Sequence, residues 1–261
     1  MSMLLTIDAG NTNTTFAVFD GEDILGEWRT STNSARTADE YGVWLASLMN
    51  LAEVDPKKID SAIIATVVPQ ALFNLRTLCR RYYRCEPIVV GDPDVDVGIK
   101  VLIEKSREVG ADRIVNAVGA KKKYGGPAII VDFGTATTFD IIDGDGNYMG
   151  GVIAPGINLS LEALHMAAAK LPRIAIERPE RVIGNDTQSA MLSGVYWGYV
   201  GLIEGLISRI REEYGQRIQV IATGGLAPMF ADGTDFIEEI DRDLTMHGLL
   251  EISRRNPRTM Q

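Results

Sequence analysis

Apolar and polar positions change period repeatedly along the 261-residue chain, and each change marks an element. Leu4 to Asp8, Thr15 to Phe19 and Ile24 to Trp28 are short apolar runs broken at Gly10 and at Asp20-Gly21, which predicts three strands in an antiparallel meander. Thr37 and Glu40 have capping-box spacing. Tyr41, Trp44, Leu45 and Leu48 follow at i, i+3, i+4 and i+7, so a helix is expected over 37–51. Ser61 to Val67 is a near-continuous β-branched run of the kind that forms a strand covered on both faces. Pro69 opens a helix to about Tyr83, Pro87 to Val90 gives a short strand, and 110–124 reads as a helix.

After Gly125-Gly126-Pro127 the pattern begins again. Leu4 to Asp23 lies over Ala128 to Gly146: Asp8 matches Asp132 and Gly10 matches Gly134. After a one-residue gap, Phe16, Asp20 and Gly21 match Phe139, Asp143 and Gly144. Apolar strand, Asp-x-Gly, hydroxyl-rich turn, apolar strand and Asp-Gly turn recur in the same order, which points to duplication. The expected division is 1–119 and 120–261. Helices around Leu159 to Lys170 and Asp186 to Tyr214, a strand at Arg217 to Ala222 and a last helix around Leu244 to Ser253 complete the second half. The long helix carries Leu192, Val195, Tyr199, Leu202, Leu206 and Ile210 on one stripe, with Tyr196, Ile203 and Ile207 beside it. So wide a stripe fits either a central core helix or one that also packs on a second subunit.

Composition narrows the functional classes. Lys and Arg total 26 against 35 Asp and Glu, a net charge of -9, which lacks the cationic excess that binding a nucleic-acid backbone demands. The start of the chain has no basic n-region, and the most apolar runs noted, Ala62 to Val68 and Ala128 to Val131, are far shorter than a membrane span. A cytoplasmic protein with neither nucleic acid nor membrane as partner is expected. Cys79 and Cys85 fit neither a redox pair nor a zinc knuckle and read as reduced thiols. His165 and His247, the two histidines, read as packing or surface groups and exclude a multi-histidine metal centre. Lys121 to Lys123 reads as a solvated helix end suited to the helix dipole.

No P-loop and no Gly-x-Gly-x-x-Gly after a strand occurs. The paired turns Asp8 to Thr15 and Asp132 to Thr138 take their place. In each, a carboxylate ends a buried strand and a glycine follows two residues later among hydroxyls. Glycine permits close approach of backbone to an anion and positive φ, successive N–H groups and hydroxyls suit phosphate oxygens, and the aspartates suit a hard cation such as Mg²⁺. One such turn alone could be a plain hairpin with a capping Asp. Two related by duplication imply a nucleotide triphosphate between two domains.

These turns resemble those of the actin, sugar kinase and Hsp70 superfamily. Within it the chain resembles type III pantothenate kinases in DAGNTNTTFAVFD from Asp8, GADRIVNA from Gly110, VDFGTATTFD from Val131, GGVIAPGI from Gly150 and ALHMAAAKLP from Ala163. The long segment from Gly184, ATGGLAP from Ala222 and DLTMHGL from Asp243 extend the match over nearly the whole chain. The resemblance implies an α/β fold of two duplicated ribonuclease H-like (actin-like ATPase) domains with a nucleotide cleft between them. It implies an ATP-dependent kinase for the primary hydroxyl of pantothenate, in the first step of coenzyme A synthesis. Carried over, it makes Asp8, Ala9, Gly10, Asn11, Thr12, Asn13, Thr14, Thr15 and Thr135 ATP-binding residues. Asp112 becomes the proton acceptor; Gly110, Ala111, Asp112, Arg113 and Thr187 become substrate-binding residues. Asp132 becomes a ligand of a monovalent cation, K⁺ or NH₄⁺, alongside Mg²⁺. Thr187 would reach across from a partner subunit, favouring a homodimer. Gly224-Gly225 resembles the superfamily's adenine-side turn. Ile103 and Ser106 stand where many members have Tyr and Pro, so this chain would hold the substrate differently there.

Overall fold

A computed structural model describes residues 3–167 and 172–257. In chain order the elements are β1 Met3–Ala9, β2 Asn13–Asp20, β3 Asp23–Ser31, α1 Ala38–Leu51, β4 Ile59–Thr66, α2 Pro69–Tyr82, β5 Ile88–Val89 and α3 Ala111–Tyr124. After them come β6 Ala128–Phe133, β7 Ala136–Ile142, β8 Tyr148–Pro155, α4 Ile157–Ala167, α5 Thr187–Tyr214, β9 Gln219–Thr223, α6 Ala227–Ala231, β10 Glu239–Ile240 and α7 Leu244–Arg255. The helix expected as far as Lys170 and the end of the Ala163 motif fall on 168–171, outside the described residues.

The chain forms two units, Met1–Tyr124 with Asp243–Gln261, and Gly125–Arg242. This division differs from the expected 1–119 and 120–261. The first boundary lies at Tyr124, where α3 ends, and the last helix returns to the first unit. The cause is packing: Met246, Leu249, Leu250 and Ile252 of α7 are buried with Val115 and Val118 of α3 and with Leu4, Phe19, Ile63 and Ala65 of the sheet.

Each unit contains one five-stranded sheet, and the two sheets have the same topology. The orders are β3-β2-β1-β4-β5 and β8-β7-β6-β9-β10. In both, the first three strands are antiparallel and the last three parallel. The register repeats as well: Asp8 lies opposite Thr15 and beside Ala65, and Asp132 lies opposite Thr138 and beside Thr223. The one-residue gap of the sequence alignment is therefore the difference in length between the two β-turns.

In the first unit, strand alternation sends Leu5, Ile7, Ala9, Phe16 and Val18 to a face covered by Tyr41, Leu45 and Met49 of α1 and Leu75 and Leu78 of α2. The capping box predicted at Thr37 and Glu40 is present and starts α1. In the second unit, Ile129, Val131 and Phe139 pack against Tyr196, Tyr199, Ile203 and Ile207 of α5 and Phe230 of α6. By length and composition α5 could cross a membrane, contrary to the expectation that no segment is apolar enough. It packs here as a core helix. Its remaining surface carries Gly194, Gly198 and Gly201, with nothing within 4 Å of where their side chains would begin.

Candidate active site

The first unit gathers its chemistry at the carboxyl ends of β1 and β4, where an open α/β sheet presents groups to ligands. Leu4, Thr6 and Asp8 share one face of β1, and Thr6 Oγ1 donates to Met246 Sδ of α7 at 3.3 Å, so Asp8 ends the strand on the α3/α7 face. Between β1 and β2 the turn is tight, with the Gly10 N–H donating to Asn13 O at 2.9 Å. Asn11, Thr12 and Asn13 are exposed at its tip. Thr32, which the sequence reading did not single out, braces this turn: its N–H donates to Thr12 O at 2.8 Å and its hydroxyl to Gly10 O at 2.7 Å. Thr14 Oγ1 lies 2.9 Å from Thr32 Oγ1. No local signal marks Thr32, because its role arises only when β3 pairs with β2.

Of the residues expected to hold ATP, Ala9 is packed in the core and Thr14 is buried and engaged by Thr32. Asp8, Gly10, Thr15 and the exposed tip remain accessible or half-buried. The left-handed backbone anticipated for the glycines of these turns is absent at Gly10 and Gly134; it occurs at Gly224, where φ is +90°.

Gly110 to Arg113 reach the same end and face of the first sheet. A side chain on Gly110 would begin 3.4 Å from Val67, the residue after β4, and 2.5 Å from Asp112 Oδ1. The missing side chain thus makes room for the Asp112 carboxylate to fold back over the start of α3. There Oδ1 accepts the Arg113 N–H at 2.8 Å. Burial raises the pKa of Asp112, opposed by that hydrogen bond and by the Arg113 charge. A half-buried carboxylate with raised proton affinity, fixed at a helix N-terminus beside a cation, is suited to accept a proton. Ala111 and Arg113 are half-buried beside it. Ile103 is half-buried in the irregular chain before α3, and Ser106 opens a short 3-10 turn.

In the second unit, the Gly134 N–H donates to Ala136 O at 3.1 Å and leaves Thr135 exposed. The Gly156 N–H donates to Thr135 O at 3.2 Å, and a side chain on Gly156 would collide with that carbonyl. Asp132 ends β6. Gly224 follows β9, and a side chain on it would begin 2.8 Å from Asp132 Oδ1 and 2.6 Å from Phe133 O. The counterpart of Gly224 in the first unit is Thr66, the last residue of β4, whose hydroxyl donates to Ala9 O at 3.1 Å and accepts the Val68 N–H at 3.0 Å. The two units are thus alike in register and different in what fills this turn. Thr187 is exposed as the first residue of α5, whose Asp186 cap accepts the Ser189 N–H at 2.9 Å.

Among the described residues no group of three or more His, Cys, Asp or Glu side chains could hold a metal ion. A cation at Asp132 would need hydroxyl, carbonyl or water oxygens as further ligands. Cys79 and Cys85 are both free; burial raises the thiol of Cys79 well above its ordinary value and that of Cys85 to about 11, as expected of inert thiols.

The fold is shared with proteins of distant sequence. One is component A of (R)-2-hydroxyglutaryl-CoA dehydratase from Acidaminococcus fermentans, with a TM-score of 0.55 at 12% identity, covering 96% of this chain and 95% of that one. Another is the activator of the 2-hydroxyisocaproyl-CoA dehydratase from Clostridium difficile with bound ADPNP, with a TM-score of 0.52 at 10% identity and 99% coverage of both chains. At the sequence level, the family model for type III pantothenate kinase matches residues 4–209. A type III pantothenate kinase of Paramagnetospirillum magneticum is 63% identical over 97% of this chain and 98% of its own length. One from Rhodospirillum rubrum is 64% identical over 97% and 99%. By this extent of likeness, which takes in both Asp-x-Gly turns and the GADR segment, the chain belongs to the type III pantothenate kinase family.

Proposed function

We propose that this enzyme transfers the γ-phosphoryl group of ATP to the primary hydroxyl of pantothenate, giving 4'-phosphopantothenate and ADP. Asp112 carries the reading: its carboxylate has raised proton affinity and lies at the same end and face of the first sheet as Asp8. In the reaction the substrate oxygen bonds to the γ-phosphorus, its proton passes to Asp112, and the bond from the γ-phosphorus to the bridging oxygen of ADP breaks. Little covalent help is required. Positioning and charge neutralisation supply most of the rate.

The Asp8 to Thr15 turn and Thr135 hold the phosphates through N–H groups and hydroxyls, and the ADPNP carried by a protein of the same fold supports a nucleotide as ligand. Ala9 and Thr14 contribute backbone only, since their side chains face the core. Gly110, Ala111, Arg113 and Thr187 bind pantothenate; the Arg113 guanidinium suits its carboxylate or the transferring phosphoryl oxygens. Mg²⁺ and a monovalent cation at Asp132, K⁺ or NH₄⁺, neutralise phosphate charge.

The active form is a homodimer. Met149 and Ile153 of the edge strand β8, Leu159 and Met166 of α4, and Val182 and Ile183 before α5 are exposed apolar side chains of the kind a second copy would cover. Sedimentation of a monomer at micromolar concentration would contradict it.

ADP release with ATP, Mg²⁺ and K⁺ tests the activity. Turnover is expected with pantothenate and not with glycerol or sugars. Absence of pantothenate-dependent ADP release under every monovalent cation tried would sink the reading.

A further inference from the structure

Thr32 follows β3, and Gly156 follows β8, the counterpart of β3 in the second sheet. Register makes the two residues equivalent. Ser31 pairs with Asn13 as Pro155 pairs with Ala136, and Asn13 and Ala136 accept the N–H of Gly10 and Gly134, the glycines that open the two turns. Both units repeat one backbone bond: the Thr32 N–H donates to Thr12 O at 2.8 Å, and the Gly156 N–H to Thr135 O at 3.2 Å. The side chains differ. A methyl group on Gly156 would begin 2.2 Å from Thr135 O and 2.8 Å from Gly134 O, so the second turn packs directly on a glycine. The first turn is longer by one residue, and there the Thr32 side chain stands, its hydroxyl 2.7 Å from Gly10 O.

A carbonyl only accepts, so the one proton of the Thr32 hydroxyl goes to Gly10 O. Thr14 Oγ1, 2.9 Å from Thr32 Oγ1, is therefore the donor of that pair, and its proton is not offered to a ligand. A trans peptide unit is planar, with its C=O and N–H opposed. Drawing Gly10 O and Thr12 O toward Thr32 thus turns the N–H groups of Asn11 and Asn13 away from it. Backbone donors given a fixed direction within one tight turn suit phosphate oxygens.

We propose that Thr32 is a positioning residue for ATP: from outside the turn it fixes the Gly10–Asn11 and Thr12–Asn13 peptide planes so that the Asn11 and Asn13 N–H groups meet the phosphates. This rests on the Asp8 to Thr15 turn holding those phosphates. The duplication supplies the backbone half of the device to both units and the hydroxyl half to the first alone.

The test is calorimetric binding of MgATP to the full chain without pantothenate, joined to steady-state ADP release with each substrate varied in turn. Thr32→Val keeps the N–H and the shape and loses the hydroxyl. It should weaken MgATP binding and raise the KM for ATP by about tenfold, on the scale of one or two hydrogen bonds, with the KM for pantothenate unchanged. Thr32→Ser should restore both values. If Thr32→Val does not fold, the Thr32→Ser and Thr32→Ala pair, which differs by the hydroxyl alone, decides. Wild-type MgATP affinity in the folded Val variant, or equal affinity in the Ser and Ala variants, overturns the proposal and leaves the turn as the phosphate site. An equal rise in both KM values marks general damage and also overturns it. A wild type that binds no MgATP removes the nucleotide from the turn, and the proposal with it.

Discussion

Asp112 shows how one side chain joins function to stability. Its raised pKa means that the folded chain holds this proton more tightly than the unfolded chain, whose value is the ordinary 3.8. The sign is the reverse of a salt-bridged carboxylate. Folded protein binds more protons between the two values, so stability falls as pH rises through that window and stays lower at neutral pH. Asp112→Asn should therefore abolish ADP release and leave the protein at least as heat-stable at pH 7, with a gain that disappears below the ordinary carboxylate range. Melting curves of both proteins at pH 4 and pH 7 check this; a variant less stable at pH 7 than wild type would contradict it. A second residue prediction concerns Gly224. A methyl group there meets backbone and Asp132 at contact distances no Cβ tolerates, on a left-handed backbone. Gly224→Ala should lower stability by about 1–3 kcal/mol in a denaturant titration. The sequence made Asp112 a candidate because it is the acid of its motif. It could not show the burial, which arises only in the fold, where Val67 after β4 lies against Gly110 and the missing Gly110 side chain leaves room for the carboxylate.

At the scale of elements, the crossing of α3 and α7 sets where Asp112 stands. Gly119 of α3 faces the Leu244 carbonyl, where a side chain would begin 2.5 Å away, and Gly248 of α7 faces the Val115 carbonyl at 2.1 Å. The backbones touch at two glycines, and Thr245 Oγ1 donates to the buried Asn116 Oδ1 at 2.7 Å one turn below Asp112. Gly248→Ala has no flexible neighbour to displace and should force the helices apart, costing about 1–3 kcal/mol and lowering turnover. The comparison is Gly201→Ala on α5, where nothing lies within 4 Å; helix propensity alone should make that change neutral or stabilising by up to about 1 kcal/mol. Periodicity and caps made most elements legible: the Thr37 box, Pro69 at the start of α2 and the start of α5 near Asp186 lie where the sequence indicates. β8 was not, because Gly150 and Gly151 interrupt its apolar run, and its place becomes evident only as the counterpart of β3.

For the whole molecule, duplication was legible and its boundaries were not. A repeat compares segments, whereas a unit is defined by what packs together, and α7 packs with a sheet that begins more than two hundred residues earlier. The consequence is an asymmetry in folding. The second unit is one continuous stretch, 125–242; the first requires both ends of the chain. Without 243–261, the face formed by Leu4, Phe19, Ile63 and Val118 loses Met246, Leu249, Leu250 and Ile252. Each such side chain contributes about 2 kcal/mol when buried. Four together are on the order of the entire margin of 5–15 kcal/mol that keeps a domain folded. A fragment of residues 1–124 should therefore lack a cooperative thermal transition and gain one when joined directly to 243–261 through a short linker. Cooperative unfolding of 1–124 alone, followed by circular dichroism, would show that α7 is an accessory to this unit and not part of its core.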